Sequence, residues 1–265
     1  MRYLFFLFSF FLAMPVFAAE PLKVTYGIYA GGFHVMDMKG VYTLEDDYYH
    51  LEMDMETVGM LGAIAPWSGV IFSEGVNKGV ESFPRRHEFI ATWRGKYEIT
   101  TFTFDESGAL ESYVLREDDG TVKEEMPDAE VMAGSPIDML SALFRVMNND
   151  TCEMTPVALD GKRSFEMVFT AIDEVMMEPS RYSAYAGPAE ICEIEIVPVA
   201  GKWREKPRGW MSLQGQAKGK GQLPRLWFGK IRDDMPPIPV RFTIKTNYGS
   251  MLMHLKTIGE TMAAK

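Results

Sequence analysis

The sequence predicts an all-β protein: a single curled antiparallel sheet or an open or spiral barrel, with one amphipathic helix. Three observations predict it. Apolar and polar residues alternate at period two in several runs, as they do in strands with one dry and one wet face. Turn signals separate these runs at short intervals. Helical periodicity is clear in one stretch alone, which speaks against alternating β and α units.

The chain opens with Met1-Arg2, an apolar run from Leu4 to Val16, and small or branched residues at Val16-Phe17-Ala18. This reads as a secretory signal peptide over residues 1–18, too short for a spanning helix. Residues 19–265 then form one all-β domain, expected in the periplasm. After cleavage no stretch is long and apolar enough to make a transmembrane segment.

In Tyr49-Leu51-Met53-Met55 the apolar residues alternate with His50, Glu52, Asp54 and Glu56, which marks a half-buried strand. Residues 63–70, with Pro66-Trp67-Ser68-Gly69, read as a short helix or a loop. Asp105-Glu106-Ser107-Gly108 joins runs 97–104 and 109–116 as a hairpin, and Asp118-Asp119-Gly120 is a further turn. The helix is predicted from Ser135, with Ser135 as cap, Pro136 in the first position and Asp138 at the positive end. Ile137, Leu140, Phe144 and Met147 recur at helical spacing, and Asn148-Asn149-Asp150 ends the run.

Asp160-Gly161 is a turn between 157–159 and 163–169. Cys192, Ile194 and Ile196 share a dry face opposite Glu193 and Glu195. Residues 214–222, with Gly215, Gly219 and Gly221, are expected to form a flexible loop. Asp233 to Pro239 is rich in proline and suits the approach to a strand. Ile238, Val240, Phe242 and Ile244 alternate with Arg241, Thr243 and Lys245, and Asn247-Tyr248-Gly249-Ser250 turns the chain into 251–257.

The formal net charge is −10; losing Arg2 with the leader leaves 26 basic against 37 acidic residues, or −11. That balance argues against nucleic acid as a partner. An acidic stretch holds Glu45, Asp46, Asp47, Glu52, Asp54 and Glu56. A basic one runs through Lys202, Arg204, Lys206, Arg208, Lys218, Lys220, Arg225, Lys230 and Arg232. The two are expected to be solvated faces, paired with each other across the fold, or else the basic one is a rim for phosphate or lipid headgroups.

The chain has two cysteines, Cys152 and Cys192. An even count in an oxidising compartment predicts one disulfide, joining the strand after the helix to the strand near 190–197. Methionine is abundant, with 20 residues, several of them two apart: Met36 and Met38, Met53 and Met55, Met251 and Met253. Residues two apart share a face of a strand. The stripe is either core, or an adaptable apolar pocket, or a soft-metal (copper) site using His34, Met36, Met38, Met53 and Met55.

No histidine pair has zinc spacing, and there is no nucleophile elbow or phosphate-binding glycine loop. No cofactor is implied and no catalytic residue is assigned. Arg85-Arg86-His87-Glu88 is the densest polar group of the N-terminal half and reads as a solvated edge or loop end, or as an acid/base pair at His87 and Glu88 in an enzyme acting on envelope polymers.

The C-terminal half carries a recognisable order of features. These are Ser-Pro-Ile-Asp-Met-Leu-Ser-Ala-Leu at 135–143, Cys152, Asp160-Gly161-Lys162-Arg163, Tyr-Ala-Gly-Pro-Ala-Glu-Ile-Cys at 185–192, Leu226-Trp227 and Ile238-Pro239-Val240-Arg241-Phe242. They resemble the exported bacterial family catalogued as domain of unknown function 3108, in its alphaproteobacterial form, over about residues 22–258. The resemblance implies an exported all-β fold with no catalytic residues to carry over. Its general plan is similar to lipoprotein carriers and spiral-barrel envelope proteins, which curl a sheet around an apolar cavity. The expected function is non-enzymatic support of the cell envelope, with a lipid, an acyl chain or a segment of an envelope protein bound in such a cavity. The expected lining residues are Leu51, Met53, Met55, Phe242, Met251 and Met253.

Overall fold

Period-two alternation becomes a long antiparallel meander in the computed structural model, which describes residues 20–259. The leader over 1–18 lies outside the described residues. The first half of the chain lays down β1 (Leu22–Ala30), β2 (Phe33–Leu44), β3 (Tyr48–Thr57), β4 (Trp67–Val76), β5 (Phe83–Trp93), β6 (Lys96–Phe104), β7 (Leu110–Glu117) and β8 (Val122–Glu124). A six-residue helix, α1 (Gly59–Ile64), sits between β3 and β4. The second half adds α2 (Met139–Met147), β9 (Val157–Leu159), β10 (Arg163–Met177), β11 (Gly187–Gly201), α3 (Trp210–Gly219), β12 (Arg225–Gly229), β13 (Ile238–Thr246) and β14 (Gly249–Ile258).

All strands belong to one 14-stranded sheet ordered β8-β7-β6-β5-β4-β3-β2-β1-β14-β13-β12-β11-β10-β9. The first and last strands therefore pair at its centre, with Val24 opposite Ile258 and Ala30 opposite Met251. The edge strands β8 and β9 do not pair, so the barrel is open. It curls nonetheless. Leu159 of β9 is buried in one cluster with Phe102, Phe104, Leu110, Tyr113 and Leu115 of β6 and β7. Gly161, just beyond β9, lies directly against the Tyr113 ring.

Because neighbouring strands are antiparallel, the connections divide between two ends. The upper end carries the β1–β2 turn, α1, the β5–β6 turn, the β7–β8 turn, residues 160–162, the 202–224 connection with α3, and the β13–β14 turn. The lower end carries residues 45–47, 77–82, 105–109, 178–186 and 230–237.

Helix α2 fills the lower interior. Leu140, Phe144, Val146 and Met147 are buried, and the Phe144 ring stacks on Tyr49 of β3 at 4.4 Å between centroids. Its start differs from the sequence expectation. Asp138 is the cap, with its carboxylate accepting from the Ser141 amide at 2.9 Å. Ser135 instead holds a left-handed backbone at φ 50°, and Ile137 bridges to Ala158. An acceptor one turn nearer the helix displaces the serine as cap.

Residues 214–222 are also not a loop, since α3 runs to Gly219. The buried Gln214 anchors it: its Oε1 accepts from the Ile196 amide at 2.8 Å and its Nε2 donates to the Ile196 carbonyl at 3.0 Å. Beyond the short β12, β11 has no neighbouring strand on that side, and the glutamine amide takes the strand's place. Cys152 and Cys192 form the disulfide, with Cα atoms 6.3 Å apart. Cys192 is fully buried in β11, whereas Cys152 lies in the irregular segment after α2 and not in a strand.

An apolar cavity with a buried His–Asp pair

Between α2 and the upper end the barrel is not filled. A half-enclosed cavity of about 530 Å³ remains, with walls that are overwhelmingly apolar. Its lining comes from the inner faces of the strands at mid-height: Met38 from β2, Met53 and Met55 from β3, Ile71 from β4, Phe242 from β13 and Met253 from β14. Leu140 and Leu143 of α2 form the floor, and Trp210 of α3 stands above, tilted against Phe242 at 5.8 Å. Helix α2 closes the cavity from below, and Thr100 of β6 with Leu159 and Asp160 at β9 line it where the two sheet edges approach each other.

Alternation explains the stripe. Met38 and Met55 are directly opposite each other across β2 and β3, as are Gly40 and Met53. A Cβ on Gly40 would sit 3.1 Å from the Met53 Sδ, so the missing side chain makes room for the thioether. Four of the six residues expected to line a cavity, Met53, Met55, Phe242 and Met253, stand on this wall. Leu51, one step lower on β3, is fully buried in the core, and Met251 lies above Met253 outside the lining.

Of the soft-metal set, Met38, Met53 and Met55 share the wall. His34 does not join them: on the β1–β2 hairpin its Nε2 contacts Asp37 Oδ1 at 2.7 Å. Among the described residues the one convergent group of His, Cys, Asp or Glu ligands is Cys152, Glu190 and Cys192, and its cysteines are spent in the disulfide.

One carboxylate and one imidazole stand on the cavity wall, those of Asp160, which pairs with Arg163, and His87. His87, from the middle of β5, is buried and lines the cavity with its ring stacked on Phe102 at 5.3 Å. It is therefore no solvated edge. Its Nδ1 lies 3.1 Å from Asp138 Oδ1, bent away from the ideal hydrogen-bond line. Asp138 is fully buried and also accepts from Ser141 Oγ at 2.5 Å and Ser73 Oγ at 3.0 Å. Tyr49 completes the group, its hydroxyl 2.7 Å from Ser141 Oγ.

Burial pushes the Asp138 carboxyl up. The His87 imidazole and the Ser141 donors outweigh it, and the net result is a carboxyl below the usual range. Its own burial, and after that the same carboxylate, raise the Tyr49 phenol. With Nδ1 turned to Asp138, a hydrogen bond from His87 to a molecule in the cavity would go through Nε2.

The sequence pairing of His87 with Glu88 does not hold. Neighbours on a strand face opposite ways, and Glu88 points outward to Arg86 and Thr101. Asp138, 51 positions further along, takes its place. The acidic and basic stretches do not pair either: Lys230 and Arg232 share the lower end with residues 45–47, but Arg232 pairs with Asp234. Residues 45–47 are at the lower end and 202–220 at the upper, while Asp54 pairs with Lys39 and Arg225 with Glu193.

Fold and site together define an open, curled β-barrel built around an apolar cavity. The chain belongs to the family described as protein of unknown function DUF3108, whose model matches residues 23–256. No curated protein matches the sequence. Among solved structures it is similar to a beta-barrel-like protein of domain of unknown function DUF1849 from Brucella abortus, at 8% identity and a TM-score of 0.47, over 92% of this chain and 98% of that one.

Proposed function

We propose that this is a non-catalytic, exported binding protein of the cell envelope that holds an acyl chain, from a lipid or a lipidated partner, in the barrel cavity. The observation that carries the reading is the half-enclosed cavity of about 530 Å³, within the range of small-molecule sites, with methionine and aromatic walls. Thioether side chains adapt to chains of variable shape. Each methylene buried there would contribute about 0.8 kcal/mol. His87 supplies one polar contact for a headgroup or carboxyl.

Export to an oxidising compartment is supported by the Cys152–Cys192 disulfide and by the apolar leader in the sequence. Among the described residues no helix is long and apolar enough to cross a membrane.

Native mass spectrometry of gently purified protein, followed by organic extraction, tests the reading. A co-purifying acyl compound is expected, displaced by a fluorescent fatty acid. Met38→Trp together with Ile71→Phe should fill the cavity and abolish uptake. A bare polypeptide mass with no uptake of the fatty acid would overturn the proposal.

A further inference from the structure

The upper end of the barrel carries the largest group of exposed apolar side chains among the described residues, more than the Val80, Met176 and Tyr182 exposed at the lower end. Every residue of α1 is apolar, in the run Gly-Met-Leu-Gly-Ala-Ile, and none is buried. Met60 is 70% exposed and Ile64 66%. A helix with no buried side has nothing among the described residues to cover it. Phe33 in the next hairpin is 67% exposed, and Tyr248 at the β13–β14 turn 90%. Trp93 and Tyr97 flank the β5–β6 turn, both exposed. Soluble surfaces scatter such residues singly; here antiparallel topology gathers them on one end.

Cations accompany them. Arg94 and Lys96 sit between Trp93 and Tyr97, with the Arg94 guanidinium over the Trp93 ring at 5.6 Å. Lys202, Arg204, Lys206, Arg208 and Lys220 surround α3, and Lys245 leads into the Tyr248 turn. All are exposed, and none forms an ion pair with another described residue. In a chain of net charge −10, that is a local excess of positive charge. Acidic residues stand among them at Glu56 beside α1, Glu98 on β6, Glu205 within the 202–224 connection, and Asp118 and Asp119 at the β7–β8 corner, fewer than the cations. The lower end offers a contrast, with Glu45, Asp46, Asp47, Asp233 and Asp234 around one recess.

We propose that the upper end is a docking face for an anionic lipid bilayer: α1 and Phe33 enter the interface, Trp93, Tyr97 and Tyr248 lie at headgroup level, and the lysines and arginines meet lipid phosphates. Apolar tips, interfacial aromatics and unpaired cations on one surface are what such a boundary attracts. The choice of a bilayer over a protein rests on the free cations that share this end with the apolar tips. The docking does not require the cavity to be filled, so it stands or falls apart from the acyl-chain reading.

Flotation with vesicles tests it. The intact protein should rise with vesicles of phosphatidylglycerol and phosphatidylethanolamine, and bind purely phosphatidylcholine vesicles at least about tenfold less, since each cation near an anionic surface adds to the attraction. Raising salt to about 0.5 M should release a large share of it by screening. Met60→Ser with Ile64→Ser should lose at least about tenfold in binding, and Lys202→Glu with Lys206→Glu and Arg208→Glu should erase the preference for anionic lipid. These side chains are exposed, so the thermal midpoint should not move, which separates lost docking from lost folding. Wild-type binding by both folded variants would overturn the proposal. So would absence of binding to either vesicle, and self-association through α1 in place of flotation would assign the patch to a second copy instead.

Discussion

The Asp138 carboxylate caps α2 and lies 3.1 Å from His87 on β5, so one buried group both starts the internal helix and ties it to the opposite wall. Removing the buried carboxylate leaves the Ser141 amide and the Ser141 and Ser73 hydroxyls without their acceptor, at about 1–3 kcal/mol for each buried group left unpaired. Asp138→Ala should fall in that range or beyond it in urea unfolding at pH 7. A loss below about 1 kcal/mol would show that the carboxylate adds little beyond the cap itself.

The same carboxylate sets a dependence on pH. The Asp138 carboxyl is held below its ordinary range in the folded protein. Its contribution is therefore complete above the unfolded value near about 4 and is lost as pH falls through the lower folded value. The stability gap between the parent and Asp138→Asn, whose side chain cannot ionise, should be wide at pH 7 and shrink below about pH 4. A gap that stays constant to pH 2 would contradict the depressed carboxyl.

Much of this frame was legible in the residues. Alternation marks β3 and β13, and hairpin signals at 105–108 and 118–120 set the connections. The cysteines predict their own bond. What local pattern cannot express is the curl, which brings β5 against the start of α2 and leaves His87 and Asp138 as neighbours. Local pattern also favoured Ser135 as cap, because nothing nearby announces the buried donors of Ser141 and Ser73 that hold Asp138 inward. The glycines of 215–221 mask α3 for a similar reason: its anchor is the Gln214 amide bonded to Ile196 on the distant strand β11. The methionine spacing placed the stripe on one face, yet whether a face is filled or hollow depends on what stands across from it.

The disulfide closes a separation of 40 residues. The chain-entropy relation gives about 4 kcal/mol for a loop of this length. For a chain of this size Cys192→Ser should lower the melting temperature by about 8–16 °C. Non-reducing mass spectrometry of exported protein should find no free thiol. Two free thiols, or a melting shift under about 3 °C, would remove the bond from the account of stability.

Gln214 holds α3 to the free edge of β11 through two hydrogen bonds to Ile196 and accepts a third from Trp210 Nε1 at 3.0 Å. Leaving buried backbone groups without partners costs about 1–3 kcal/mol each. Gln214→Leu keeps the bulk and loses the bonds. It should destabilise the protein by about that amount and speed amide exchange at Ile196 more than at Ile194, whose amide donates to the Pro224 carbonyl at 2.9 Å. Equal exchange at the two sites would rule out the strand-like role of the side chain.

The two ends of the sheet approach each other at Gly161 and Tyr113, and a pair of alanine substitutions can weigh that contact. Gly161 has φ 87° and Gly120 has φ 84°, so alanine meets the same left-handed backbone cost of about 1–2 kcal/mol at both. Around Gly120 a Cβ meets nothing within 4 Å, whereas at Gly161 it would lie 2.5 Å from the Tyr113 ring. Gly161→Ala should therefore cost about 1–3 kcal/mol more than Gly120→Ala, the price of overpacking. Tyr113→Leu should relieve part of that excess by clearing the ring, and the double-mutant coupling measures how tightly the barrel is curled. If the two alanine variants are equally stable, the sheet ends are held apart in solution and the barrel is wider than its cavity implies.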